Sequence, residues 1–529
     1  MAILYLLIAF ILYPLYHLLL SSESLGSVWS ILLKPQTLKS CFNSFLLSLF
    51  TVAGSGVIGT YLAYTFHYKK IWLKRLLSVV VLLPIAIPPI VGTMSYLFLL
   101  EDNGIIMKIL GLPHFDFSGW KAIVIIHLYS FFPLFYLFVG NALKSLDSSI
   151  IEASFLSGAT KWQTFYRIVL PQLKVSLLGA SMLVFMASMA SFSAPFIFGG
   201  ATRFLTTEIY YAKVNGDYAL SATYSILLTF ISIIVLFVFN YFNKKIPTAT
   251  RTKGTIKRTE ILLFSRISKI DSVILCFFGL LVLLPLLSLI LMSLLPDNSL
   301  MANGWPSNFT ISNYTNLFSK EDFNGPFINS LLSSVIAVLI TIFMGMWIAH
   351  IIRGKKNFFK SAIEIMASIP YGIPGTVIGL CLILSFNEPT IFSFNTILVG
   401  SFWILPIAYA IRNLPIMTQA AKVGLHAVDV SVEEASQTLG ASAFKTWRSI
   451  TMPLIFSFMV EGALLVFINA FGEFVATVLL YNYNTRTLPI EIFSQIRLFN
   501  NGTAAAYGVV LFTIVMVVIF VSRKLSRKY

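Results

Sequence analysis

Runs of about twenty apolar residues recur along this chain, and twenty residues is what an α-helix needs to cross a hydrocarbon core. They fall near 1–20, 41–66, 76–100, 120–143, 173–199 and 221–242, then near 272–296, 327–352, 361–386, 397–411, 454–481 and 503–522. Soluble domains carry roughly 25% charged and about 45–50% apolar residues. This chain has 11% charged and 57% hydrophobic residues, and cannot cover that surface unless lipid is its solvent. A cytosolic enzyme, a secreted disulfide scaffold and a disordered region are excluded together. The expected fold is all-α, a polytopic membrane protein with twelve transmembrane helices. The first twenty residues have no basic n-region and no small-residue cleavage site before Ser21, so they read as a retained helix. Cys41, Cys276 and Cys381 lie inside apolar runs without pairing or metal-ligand spacing.

Lys and Arg set the orientation. With the N-terminus cytoplasmic, the linker 243–271 holds eight basic residues. Segments 67–75, 144–174, 353–360, 412–453 and 523–529 hold four each, which places 28 of the 37 inside. The net charge of +16 is then the positive-inside rule, which leaves a nucleic-acid partner nothing to explain. Both termini are expected in the cytoplasm of a multi-pass protein.

The chain repeats itself. Asn43-Ser44, Gly59 and Ala63 recur as Asn329-Ser330, Gly345 and Ala349, and Ile87-Pro88 recurs as Ile373-Pro374. Further on, Arg203 and Glu208-Ile209 recur as Arg486 and Glu491-Ile492. The organisation read from this is a first six-helix half at 1–242, a basic linker at 243–271 and a second half at 272–529. Six spans per half make the repeats parallel, with an expected two-fold axis along the membrane normal and a pathway between them.

The strongest signal is cytoplasmic and occurs twice, as EASFLSGATKWQTFYRIVLP at 152–171 and EASQTLGASAFKTWRSITMP at 434–453. The shared residues are Glu152 and Glu434, Ala153 and Ala435, Gly158 and Gly440, and Pro171 and Pro453. Each copy reads as a short helix, a Gly that permits a sharp turn, and a second helix stopped by Pro before the next span. Glu152 and Glu434 suit a first-turn cap through the helix dipole. Neither copy has a nucleophile, base or metal ligand in register. Each suits a rigid knob in a partner's groove, with Trp162, Phe165, Phe444 and Trp447 as apolar contact surface.

These two segments resemble the E-A-A-x-x-x-G-x9-I-x-L-P signature of the membrane subunits of binding-protein-dependent ABC importers. The departures are Ser154, Ser436 and Met452. The resemblance implies a type I importer permease whose coupling helices dock on two copies of an ATPase subunit, with ATP and Mg held there and no cofactor in this chain. It also implies an extracytoplasmic binding protein as partner and a bacterial inner membrane as location. Two halves fused in one chain resemble the ferric-iron and thiamine branch. Residues 191–210 and 471–497 are similar to segments of ferric-iron permeases, shared in diluted form with thiamine, polyamine and phosphonate relatives. The chain contains no G-x-x-x-x-G-K-[ST], so nucleotide is expected on the partner and this chain is not an enzyme. A gradient-driven secondary transporter would share the twelve spans but would not need the paired loops.

Intramembrane carboxylates are costly and face the bundle interior or water. Glu461 and Glu473 both fall in the eleventh expected span, and Glu364 lies near the cytoplasmic end of the ninth. Glu473 aligns with Ser191, and these two are the candidate pathway residues. Pro84, Pro88 and Pro89, with Pro370 and Pro374, are expected to break the third span of each half. His17 and His127 read as packed, hydrogen-bonded residues rather than metal ligands.

Overall fold

The computed structural model describes residues 2–21, 25–101, 104–111, 116–245, 268–297, 308–319, 321–354 and 357–526. The regular elements among them are helices. Most of the basic linker 243–271 lies outside the described residues. Among the described residues ten helices are long and apolar enough to span a membrane, and a bent pair, Phe358–Gly372 and Gly375–Phe386, makes an eleventh if counted as one. The expected run 397–411 corresponds to the helix Ile404–Ala427, which starts later and runs on past Arg412, previously counted as cytoplasmic.

The breaks occur at Pro88-Pro89 and at Pro374, as expected, but Pro84 and Pro370, also expected to break their spans, lie inside the helices that precede them. In the first half a helix Lys74–Ala86 ends, Ile87 is extended, and a second helix starts at Pro89. In the second half the two helices meet at 112° across Ile373-Pro374. Pro lacks the N–H for an i→i−4 bond and disfavours α geometry in the residue before it, so both breaks have one cause.

The chain packs as two units, one of residues 1–34, 208–229 and 292–529, the other of residues 35–207 and 230–291. The leading helix of each half is therefore grouped with helices of the other half. Within the first unit Phe10 and Tyr13 stack near Phe386, at 5.7 and 5.9 Å between ring centroids. Within the second, Asp271 at the start of Lys69's partner helix Lys269–Ser293 pairs with Lys69 at 2.5 Å and accepts from the Tyr61 hydroxyl at 2.8 Å.

The repeated residues have repeated jobs. The amide of Asn43 donates to the Arg203 carbonyl (3.0 Å), and the Leu205 N–H donates to the Ser44 hydroxyl (2.9 Å). In the second half Asn329 donates to the Arg486 carbonyl (2.9 Å), and the Leu488 N–H donates to Ser330 (2.8 Å). Each Asn-Ser pair thus satisfies the backbone of the segment after the fifth span. Gly59 and Gly345 sit where the second span crosses the fourth. A Cβ at Gly59 would lie 2.5 Å from the Phe132 carbonyl, and one at Gly345 would lie 2.8 Å from Met417. Small residues that let backbones approach are how membrane helices pack closely.

Candidate functional site

The two cytoplasmic loops are built alike. In the first, Asp147 caps the helix Ser148–Leu156 by accepting the Ser149 N–H at 3.0 Å. In the second, Asp429 caps Val430–Thr438 through the Ser431 N–H at 3.0 Å. That backbone bond holds the exposed Asp429 carboxyl below its usual range. The caps are therefore Asp147 and Asp429, and the cap role expected of Glu152 and Glu434 is corrected. Both glutamates lie further along their helices and face solvent, as do Ala153 and Ala435.

The glycines behave as expected. Gly158 has φ +79° and Gly440 φ +86°, the left-handed region where a side chain is strained, and each lies two residues beyond the end of its helix. The next helices, Lys161–Thr164 and Ala443–Thr446, are capped by Thr160 and Ser442. The expectation that Pro171 and Pro453 stop them is wrong. Each helix runs through a π turn, Phe165–Val169 or Trp447–Thr451, straight into the fifth span. The wider turn moves the backbone register at the proline, so its missing donor and its ring are accommodated.

One bond ties the two short helices of each loop together. Ser154 and Thr164 are 2.9 Å apart through their hydroxyls, and Ser436 and Thr446 are 3.0 Å apart. The two serines are the residues by which both copies depart from the signature in the same way, and the structure gives that departure a shared purpose. Trp162 and Phe444 are about 70% exposed, at 71% and 68%. Phe165 and Trp447, also expected on the contact surface, are half-buried instead, and Phe165 packs edge-on to Tyr64 at 4.9 Å. Exposed Leu156 and Leu439 complete the apolar tips.

Both loops stand on a buried apolar cluster, which under the second is built by Leu425, Val428, Ile455 and Met459, and they differ within it. Beneath the first, Ile151, Val169, Leu173, Val139 and Tyr68 form a buried apolar cluster. Beneath the second, Arg353 reaches both Glu433 carboxylate oxygens at 2.8 and 2.9 Å, and the Thr451 hydroxyl donates to the same carboxylate at 2.7 Å. Burial raises the Glu433 carboxyl, but the Thr451 and Arg353 bonds outweigh it and hold it below its usual range.

The pathway candidates sit at breaks, not mid-helix. The fifth-span helices end at Met189 and Phe471, so Ser191 and Glu473 lie in the short turns that follow. Glu473 is consequently not in the same helix as Glu461, which is exposed. The Ser191 hydroxyl is 2.9 Å from His127 Nε2, and the His127 Nδ1 lies within 3.2 Å of Thr51 and 3.1 Å of Ser188. At the aligned place in the second half, Glu473 forms an ion pair with Arg412 and accepts the Ala476 N–H at 2.9 Å. Tyr409, which aligns with His127, bonds Thr477 at 2.8 Å. Arg412 also fills the space beside Gly375, whose added Cβ would be 2.7 Å from its guanidinium. Glu364 pairs with Lys422. Among the described residues no group of three or more His, Cys, Asp or Glu could hold a metal.

Residues 55–248 and 341–529 match the family model described as the binding-protein-dependent transport system inner membrane component. The chain is 28% identical to a ferric transport system permease protein of Actinobacillus pleuropneumoniae, over 98% of this chain and 76% of that protein. It is 29% identical to a putative ferric transport system permease protein of Haemophilus influenzae, over 93% of this chain and 78% of that one. A putative molybdenum transport system permease protein of Bacillus subtilis is 30% identical, but over 38% of this chain and 93% of its own length.

Proposed function

Because the chain belongs to the family of binding-protein-dependent transport system inner membrane components, we propose that it is the fused permease of a ferric-iron ABC importer. The observation that carries the substrate is that the relatives aligned along both halves and named for a cargo are named for ferric iron. The ferric permeases align along nearly the whole chain, both halves included, whereas the molybdenum permease aligns along little more than a third. An extracytoplasmic binding protein delivers the cargo. Two copies of one ATPase, carrying ATP and Mg, sit beneath the membrane, and both termini are on their side. The chain hydrolyses nothing itself.

Glu152, Ala153 and Gly158, with Glu434, Ala435 and Gly440, present the docking surfaces to the ATPases. Pro171 and Pro453 join those surfaces to the fifth spans. The support is mechanical: each short helix pair is capped, latched by a Ser–Thr bond and continuous with a membrane helix, so movement at the tip is transmitted to the break beyond it. Ser191 and Glu473 line the pathway, being the polar residues at those breaks.

The test is ATP hydrolysis by the reconstituted complex with binding proteins loaded with ferric iron, molybdate or a phosphonate. Stimulation by the ferric form above the other two is expected. Stimulation by molybdate or phosphonate with none by ferric iron would remove the iron assignment and keep the permease.

A further inference from the structure

A cavity of about 350 Å³ opens between the end of the first helix and the end of the broken ninth span, and it belongs to neither loop nor break. Tyr13 and His17 line it from one helix, a turn apart, so they share a face. Tyr218 enters from the start of the helix Tyr218–Lys245, and Asn387 and Glu388 from the turn after Gly375–Phe386. Ser385 lines it too. That side chain is 2% exposed, and its hydroxyl has no hydrogen-bond partner among the described residues. A buried hydroxyl without a partner is costly, so a polar occupant has something to satisfy. No Lys or Arg is among the residues that line the cavity.

Two phenols, a carboxylate, an imidazole, an amide and the hydroxyls of Ser385 and Thr390 are mostly oxygen donors. Hard cations select oxygen ligands over sulfur, and Tyr oxygen is an established iron ligand in proteins. We infer that this cavity is an entry site for a hard trivalent cation, held briefly by Tyr13, Tyr218 and Glu388 on its way from the binding protein, with His17, expected from the sequence to be a packed residue rather than a ligand, facing the same space. This rests on the ferric-iron reading, and on the orientation that puts the end of the first helix outside. The donors come from three separate segments rather than one tight cluster, which suits brief binding. A transport site must bind well enough to admit an ion and weakly enough to release it. The volume leaves room for an ion that keeps part of its water shell. Tyr13 is held in place by Phe392 at 4.7 Å and His17 at 4.4 Å.

The experiment uses the complete transporter. Ferric-iron uptake into proteoliposomes is compared for the natural chain and for Tyr218→Phe/Glu388→Gln, with basal ATP hydrolysis measured alongside. Uptake about tenfold lower at unchanged basal hydrolysis is expected. In a second measurement, the purified complex is titrated with ferric nitrilotriacetate. A visible phenolate-to-iron band is expected, and is lost in Tyr13→Phe/Tyr218→Phe. Uptake by the natural chain with equal uptake by the variant, or absence of the band, overturns the site and leaves the importer standing. A natural chain that moves no ferric iron overturns the iron reading, and the site with it.

Discussion

The two cytoplasmic loops share most internal devices, the reciprocal Gln163 bond of the first excepted, and differ within the seats they stand on. Asp147 and Asp429, Gly158 and Gly440, and the Ser154–Thr164 and Ser436–Thr446 bonds superpose in sequence at one constant offset. Underneath, Ile151 and Val169 of the first loop are replaced by Glu433 and Thr451 of the second. An apolar seat, and an apolar seat with an ion pair set into it, therefore carry the same helix pair. The difference teaches that the docking shape is under tighter constraint than the way it is attached. The attachments should also respond to different conditions, because burial of apolar surface is insensitive to salt and to acid, while a partly exposed ion pair is screened.

The largest expected effect breaks the apolar seat. Ile151→Ala empties a buried position, 4% exposed, and should cost about 3 kcal/mol. The readout is thermal unfolding of the purified complex, and the loss should be the same at low and high salt. A loss that shrinks with salt would contradict the apolar seat.

Next is Arg353→Ala, which leaves Glu433 with Thr451 alone. The expected cost is about 2 kcal/mol, from hydrogen bonds to a charged group. The same contact predicts a pH response of the second loop alone. The Glu433 carboxyl is lowered from its ordinary 4.5, so its folded value lies below its unfolded one. Its contribution is complete above the unfolded value and disappears as pH falls through the folded one. Protease cleavage after Arg448 should therefore rise below about pH 4.5, while cleavage after Arg167 of the first loop stays constant. Equal acid sensitivity of the two sites would remove the distinction.

The smallest effect sharpens what the loops share. Ser154→Ala and Ser436→Ala each break one hydroxyl bond and should cost about 1 kcal/mol apiece. A double-mutant cycle with Thr164→Val or Thr446→Val should recover most of that as coupling. No coupling in either loop would mean that the bond joins nothing.

Much of the fold was legible in the sequence because lipid leaves a helix few alternatives. Spans announce themselves by length, and the breaks at Ile87-Pro88 and Ile373-Pro374 follow from a missing donor. The helix–Gly–helix shape of the loops was equally legible, since Gly158 and Gly440 need φ above zero. Less legible was anything set by partners distant in sequence. Arg412 looked like a cytoplasmic charge because the run before it ended, yet it lies inside a helix and neutralises Glu473, 61 residues on. The caps were misplaced by a few residues, onto Glu152 and Glu434, because acidic residues suit any early turn, and only backbone geometry picks out Asp147 and Asp429. A proline signals a helix end in a regular α register, and the π turns before Pro171 and Pro453 left no mark in residue type. The exchange of leading helices between halves had no sequence signal either.

The central claim is that both knobs dock on ATPase subunits. It is tested most directly by cross-linking Trp162→Cys and Phe444→Cys, each in turn, in the assembled complex with a short bismaleimide, after replacing Cys41, Cys276 and Cys381 by Ala. The account predicts a permease–ATPase adduct from each position. Adducts from neither position, in a complex that still hydrolyses ATP in response to loaded binding protein, would contradict it.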